Sequence, residues 1–90
     1  MLAPSPVVAL NRAVAVAEVE GPAAALALVD GLDRGGLGGY HLLHAIRADL
    51  LRRLGRVGEA AEAYDAAIAR TDNAAERAFL QRSRQALDRG

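Results

Sequence analysis

From Pro6 to Asp88 the apolar residues recur mostly at three- and four-residue intervals, the period of helices that each bury one face. In PVVALNRAVAVAEV, Val7, Leu10, Val14 and Ala17 share a line, and Val8, Val16 and Val19 widen it. A first helix over 6–19 is expected, packed on more than one side. Ser5 is placed to cap it, and Pro6 suits the first helical position, where a missing N–H costs nothing. Gly21-Pro22 ends this helix and starts a short second one, 22–32, almost wholly small or aliphatic. DRGGLGG then makes a glycine-rich connection through Gly39, expected to be a flexible linker.

The third helix is expected over 40–54. Leu43, Leu50 and Leu54 fall on one line with Ile46 and Leu51 beside it, and Gly55 is its expected terminator. The fourth, 57–70, carries a stripe of Val57, Ala60, Ala61, Tyr64, Ala67 and Ile68, with Glu59, Glu62 and Asp65 outside it. Its early carboxylates and late Arg70 suit the helix dipole. The fifth, 74–88, opens on a capping box, Asn73 with Glu76. Phe79, Leu80, Ser83 and Leu87 are its expected inner face. Arg77, Gln81, Arg84 and Gln85 are expected to face out, as the last helix of a stack needs a wet side.

The third and fourth helices carry a repeat spacing. After Gly55, Ala60 follows at five residues, Tyr64 at nine and Ala67 at twelve. That pattern resembles the second half of a tetratricopeptide repeat, in which small residues let paired helices approach and an aromatic plugs the next groove. Leu51 stands where the repeat commonly has tyrosine, Ala48 fits its small position, and Asp72-Asn73 replaces its usual proline turn. Gly21 and Gly55 are 34 residues apart, the period of that repeat, although the earlier copy sets Asp30 against Tyr64. The expected fold is therefore all-α: a single domain, 1–90, built as an antiparallel helical-hairpin array of tetratricopeptide-like type with five helices.

Composition agrees with this. Twenty-one alanines and thirteen leucines favour helix, and three aromatics mean that the core is filled by close approach of helices. The formal net charge of zero gives no overall field toward DNA or an anionic membrane. The lack of cysteine removes disulfides and thiolate metal sites, which is compatible with a cytoplasmic setting. There is no secretion signal and no apolar run long enough to cross a membrane.

The segment YHLLHAIRADLLRRLGR concentrates the chemistry. His41 and His44 lack the four-residue spacing and intervening glutamate of a zincin, and Asp49 lies about 140° round the helix from His44. His44 is expected at the core border and His41 toward solvent or the glycine connection. Arg47 falls inside the apolar arc and is expected either to snorkel out or to find a carboxylate or carbonyls, with Glu18 or Glu62 as candidates. Arg52, Arg53 and Arg56 cluster near the C-terminus of the third helix, where dipole complementarity accounts for them. The glycines lack the preceding strand and following Lys-Ser/Thr of a phosphate loop. No set of residues points to catalysis, a cofactor or a metal.

The strings PSPVVALNRAVAVAEVEGPAAALALVD, GYHLLHAIRADLLRRLGR, EAAEAYDAAIA and NAAERAFLQRS, spanning roughly Ala3 to Arg84, resemble the C-terminal helical extension of a group of bacterial extracytoplasmic-function RNA polymerase sigma factors. The resemblance implies a tetratricopeptide-like domain that follows two sigma regions and regulates them, or core polymerase, through protein contacts in the cytoplasm. Both sigma regions are absent here, so the chain is expected to be a cut-out domain or truncated reading frame that does not bind promoter DNA by itself. Tyr40, His44, Arg47, Arg52, Arg53 and Arg56 are the candidate partner-contact residues. A scaffold for an unrelated peptide, or a small-ligand sensor near Tyr40, His44 and Arg47, would be built from the same elements. The valine-rich surface from Val7 to Val19 is expected to promote self-association.

Overall fold

Gly21 sits at φ +96°, a conformation open to glycine at little cost, and Pro22 takes the first turn of the helix that follows. That single residue folds α2 (Pro22–Leu32) back on α1 (Pro6–Glu20). The computed structural model describes residues 6–88, so the expected Ser5 cap lies outside the described residues. A wide π-type turn over Asp33–Leu37, broken at Gly36 with φ +103°, leads to α3 (His41–Arg53). Then come α4 (Val57–Arg70) and α5 (Ala74–Asp88). The chain is all-helical across the described residues, and the five expected helices match these bounds to within one residue at every end.

Gly55 ends α3 as expected. At φ +76° it lets the Arg56 N–H reach the Leu51 carbonyl at 2.9 Å and its own N–H reach Arg52 at 3.0 Å. This is the paired closure of a Schellman motif. The Asn73 Oδ1 accepts the Glu76 N–H at 2.9 Å, which caps α5, while the Glu76 carboxylate reaches His41 of α3 instead of closing the box.

The helices form an antiparallel hairpin array. α1 pairs with α2 and α3 with α4, α2 packs on α3, and α5 closes against α4. The core runs through Leu10, Val29, Leu43, Leu51 and Leu80, with Ala13, Ala25, Ala48, Ala60 and Ala67 at the helix contacts. Methyl-sized side chains at those contacts bring the axes close together. The repeat positions Ala48, Leu51, Ala60, Tyr64 and Ala67 are all buried. In the first hairpin Asp30 holds the place of Tyr64, and it turns that position into an ion pair with Arg47 of α3.

Several face assignments change. In α1 the buried line is Leu10, Ala13 and Ala17, while Val7 and Val14 are 54% and 43% exposed. Asn11, Arg12, Glu18 and Glu20 are all exposed, but they leave an apolar surface too wide to mark which line turns inward, and the smaller alanine wins where helices approach closely. In α4, Ala63 is buried, while Val57, at the first helical position, is exposed. In α5, Leu80 and Leu87 are buried but Phe79 is 58% exposed, and Ser83 is half-buried with its hydroxyl on the Phe79 carbonyl at 3.0 Å. Arg77 and Arg84, expected outside, are half-buried. Arg77 donates to the Thr71 carbonyl at 2.7 Å, and Arg84 Nε lies 2.6 Å from Asp65 of α4, an ion pair without an aligned hydrogen bond. The glycine connection is pinned: the Gly38 carbonyl accepts from His44 Nε2 at 2.6 Å and from Arg70 Nε at 3.1 Å.

Candidate interaction grooves along α3

The alternation of helices in the array puts α1, α3 and α5 side by side, with α3 in the middle. Two clefts follow its length. One, of about 380 Å³, lies between α3 and α5 over a floor that includes Tyr64, with Phe79 and Ser83 on its α5 wall. The other, of about 170 Å³, lies between α3 and α1, with Val14 and Ala17 on its far wall. Ala45 and Asp49 line both, so they form the ridge between the clefts. The arrangement offers small and apolar walls with charge at the centre, which suits a side-chain-bearing segment of another protein.

That central charge is organised by helical spacing. Asp49 takes Arg52 three residues on at 2.6 Å and Arg53 four residues on at 3.0 Å. Hydrogen bonding to Asp49 raises the Arg52 guanidinium above its ordinary value, with a smaller contribution from Tyr64. One carboxylate serves two guanidiniums, so the ridge keeps a net positive charge with donors to spare. Both arginines are about half exposed.

The candidate residues do not converge on one patch. Arg52 lines the α5-side cleft and Arg53 the α1-side cleft. Arg47 points the other way, and its Nε meets Asp30 of α2 at 2.9 Å. Its carboxylate is therefore Asp30, not Glu18 or Glu62. The packing of α2 on α3 carries Asp30 up to Arg47, a proximity that spacing along the chain does not reveal. Tyr40 stands at the N-cap position of α3 without a side-chain cap and is half exposed, and His44 is held on the Gly38 carbonyl. His41 joins α3 to α5 through Glu76 at 2.9 Å, rather than facing solvent or the glycine turn. None of the described clefts is lined by Tyr40, His44 or Arg47. Among the described residues, no three His, Cys, Asp or Glu side chains are grouped to hold a metal.

Arg56 belongs to the α3–α4 turn. Its Nε and a terminal nitrogen both donate to the Glu59 carboxylate, the latter at 2.9 Å. That hydrogen bonding holds Glu59 below the ordinary carboxylate range and raises Arg56. A carboxyl whose folded value is depressed adds stability above its unfolded value and loses it as pH falls through the folded one. Glu59→Gln is therefore expected to lower the thermal midpoint slightly at neutral pH, with the difference vanishing in acid. Thermal melts of both proteins across pH check this, and a difference that persists in acid contradicts the ion-pair origin.

Three groove residues, Val14, Asp49 and Phe79, escape a reading of the sequence. Val14 and Phe79 pass for core because they are apolar at helical spacing. Asp49 passes for a solvated charge, although Arg52 and Arg53 at three and four residues on are a visible signal of an organised cluster.

No family model matches the chain, and no solved structure matches it. An uncharacterized protein of Rhizobium meliloti is 54% identical over 80 residues, which are 89% of this chain and 19% of that protein. The chain thus spans about a fifth of the length of this curated relative. Among the described residues, no helix is long and apolar enough to cross a membrane.

Proposed function

We propose that the chain is the regulatory, protein-binding part of an extracytoplasmic-function RNA polymerase sigma factor, acting in transcription initiation through protein contacts and carrying out no reaction. The four strings that resemble the extensions of such factors motivate the context. The match to a fifth of a much longer relative accords with a domain that works inside a larger polypeptide. The observation that carries the contact role is the pair of clefts sharing the Ala45–Asp49 ridge, with Val14 and Phe79 exposed on their walls and Arg52 and Arg53 on their edges. Apolar walls supply buried area, and arginines supply directional hydrogen bonds to carboxylates or carbonyls of a partner. In this reading the setting is cytoplasmic and the partners are the sigma regions or the polymerase core. Neutral overall charge and arginines already paired to Asp49 and Glu59 leave DNA to the sigma regions.

The test is retention of purified sigma regions of such a factor, and separately of core polymerase, on the immobilised chain. Retention of either is expected. A folded chain that retains neither overturns the reading. The clefts also favour a scaffold for an unrelated peptide, and a peptide library that yields a groove binder in place of both sigma partners selects that alternative.

A further inference from the structure

The α3–α5 cleft brings one exposed ring and a fixed cation into a short span. From Ala45 to Arg52 on α3, and from Phe79 to Ala86 on α5, its walls run for two helical turns, about 10 Å. Phe79 is the exposed apolar group on the α5 wall. Among the described residues, the charged groups lining this cleft are Asp49 and Arg52, and Arg53 stands across the ridge. One Asp49 oxygen meets Arg52 and the other meets Arg53. Two guanidiniums on one carboxylate leave a local excess of one positive charge, held still by its own ion pairs. On α5, Arg82 follows Phe79 by three residues, an adjacent place on the helix surface. Arg82 is exposed and has no ion pair or hydrogen bond among the described residues. At the other end of the cleft, one turn before Phe79, Glu76 is engaged by His41.

We propose that this cleft takes a short acidic, amphipathic segment of a partner protein, with an apolar side chain against Phe79 and one carboxylate on Arg52. The proposal deepens the reading of the clefts as a protein-contact surface and rests on it. Charge decides between the occupants. A carboxylate completes a second charge-assisted bond on a guanidinium that Asp49 already holds, so little further rotamer freedom is lost. A lysine would meet two guanidiniums beside a carboxylate that both already share. An uncharged segment that covered Arg52 would leave its remaining donors unpaired. A nucleic-acid strand brings a charge at every phosphate, against an excess of one and with Asp49 at the centre. The single exposed ring of this cleft also gives successive bases no stacking series.

Selection of a random peptide library, displayed on phage, against the immobilised chain tests it. Enriched sequences are expected to carry aspartate or glutamate one helical turn from leucine, phenylalanine or methionine. The most enriched peptide, synthesised with a fluorescent label, is expected to bind Arg52→Gln about tenfold more weakly or worse, with unchanged circular dichroism. The same peptide with its acid replaced by the amide is expected to bind parent and Arg52→Gln alike, because the two changes remove one contact. Arg82→Gln, at an exposed position, serves if Arg52→Gln fails to fold. Arg56→Gln is expected to bind as the parent does, since Arg56 is tied to Glu59 and lines none of the described clefts. Neutral or basic enriched sequences, independent losses from the two changes, displacement of the peptide by a single-stranded oligonucleotide, or no enrichment on a folded chain each overturns the proposal. Sigma regions or core polymerase held equally by parent and Arg52→Gln would overturn it and leave the sigma-factor reading standing. Acidic binders that lose affinity on Arg52→Gln, from a chain that retains neither sigma partner, would sustain it and remove that reading.

Discussion

Replacing Leu51 with alanine is expected to destabilise the chain by about 3 kcal/mol, the usual size for a fully enclosed leucine. Leu51 is 0% exposed on α3, in the body of the core, and stands at a repeat position. Its removal deletes transfer free energy and leaves a hole that the alanine-rich neighbours cannot fill, because methyl groups have no rotamers with which to collapse into it. In a domain of this size that loss lowers the thermal midpoint by roughly 12 °C or more. Val19→Ala is the matched control, with an expected effect within about 0.5 kcal/mol because the residue is 84% exposed. Urea and thermal unfolding followed by circular dichroism measure both. A Leu51→Ala variant that lost less than about 1 kcal/mol would show that the α3–α4 packing is not the centre of the core.

Partner binding is expected to suffer most from Phe79→Ala. The ring is 58% exposed on the wall of the α3–α5 cleft, so its truncation leaves the fold nearly untouched while removing the largest apolar group offered there. An aromatic at the centre of an interface is typically worth about 2 kcal/mol, or roughly a thirtyfold rise in Kd for the retained sigma or polymerase partner. Calorimetric titration of parent and variant measures the ratio. Equal affinities would remove the α5-side cleft from the contact surface, and the α1-side cleft with Val14 and Arg53 would then have to carry it.

The exposed ring of Phe79 also shows what linear pattern cannot decide. Leu80 and Phe79 are neighbours in sequence, both apolar, and both compatible with an inner face. α5 turns Leu80 against the core and leaves Phe79 beside the gap to α3. In α4 the reading held for Ala60, Tyr64 and Ala67, which are buried, and for Glu62 and Asp65, which are exposed, though it placed Val57 inside and missed Ala63. It failed in α1, where Val14 and Ala13 are both apolar and the close approach of the neighbouring helix selects the smaller one.

The sequence by itself determined the helices and their ends, because those depend on local chemistry: Gly21 and Gly55 admit positive φ, Pro22 starts a helix, and Asn73 caps one. It also determined the second hairpin, through the spacing of Ala60, Tyr64 and Ala67 after Gly55. Tertiary structure alone decided that Asp30 reaches Arg47, that Glu76 leaves its own helix start for His41, and that α1, α3 and α5 frame two clefts around Asp49. Those outcomes join residues from different helices. Their distances are fixed by how closely alanine faces let the helices approach, a quantity that no single helix contains.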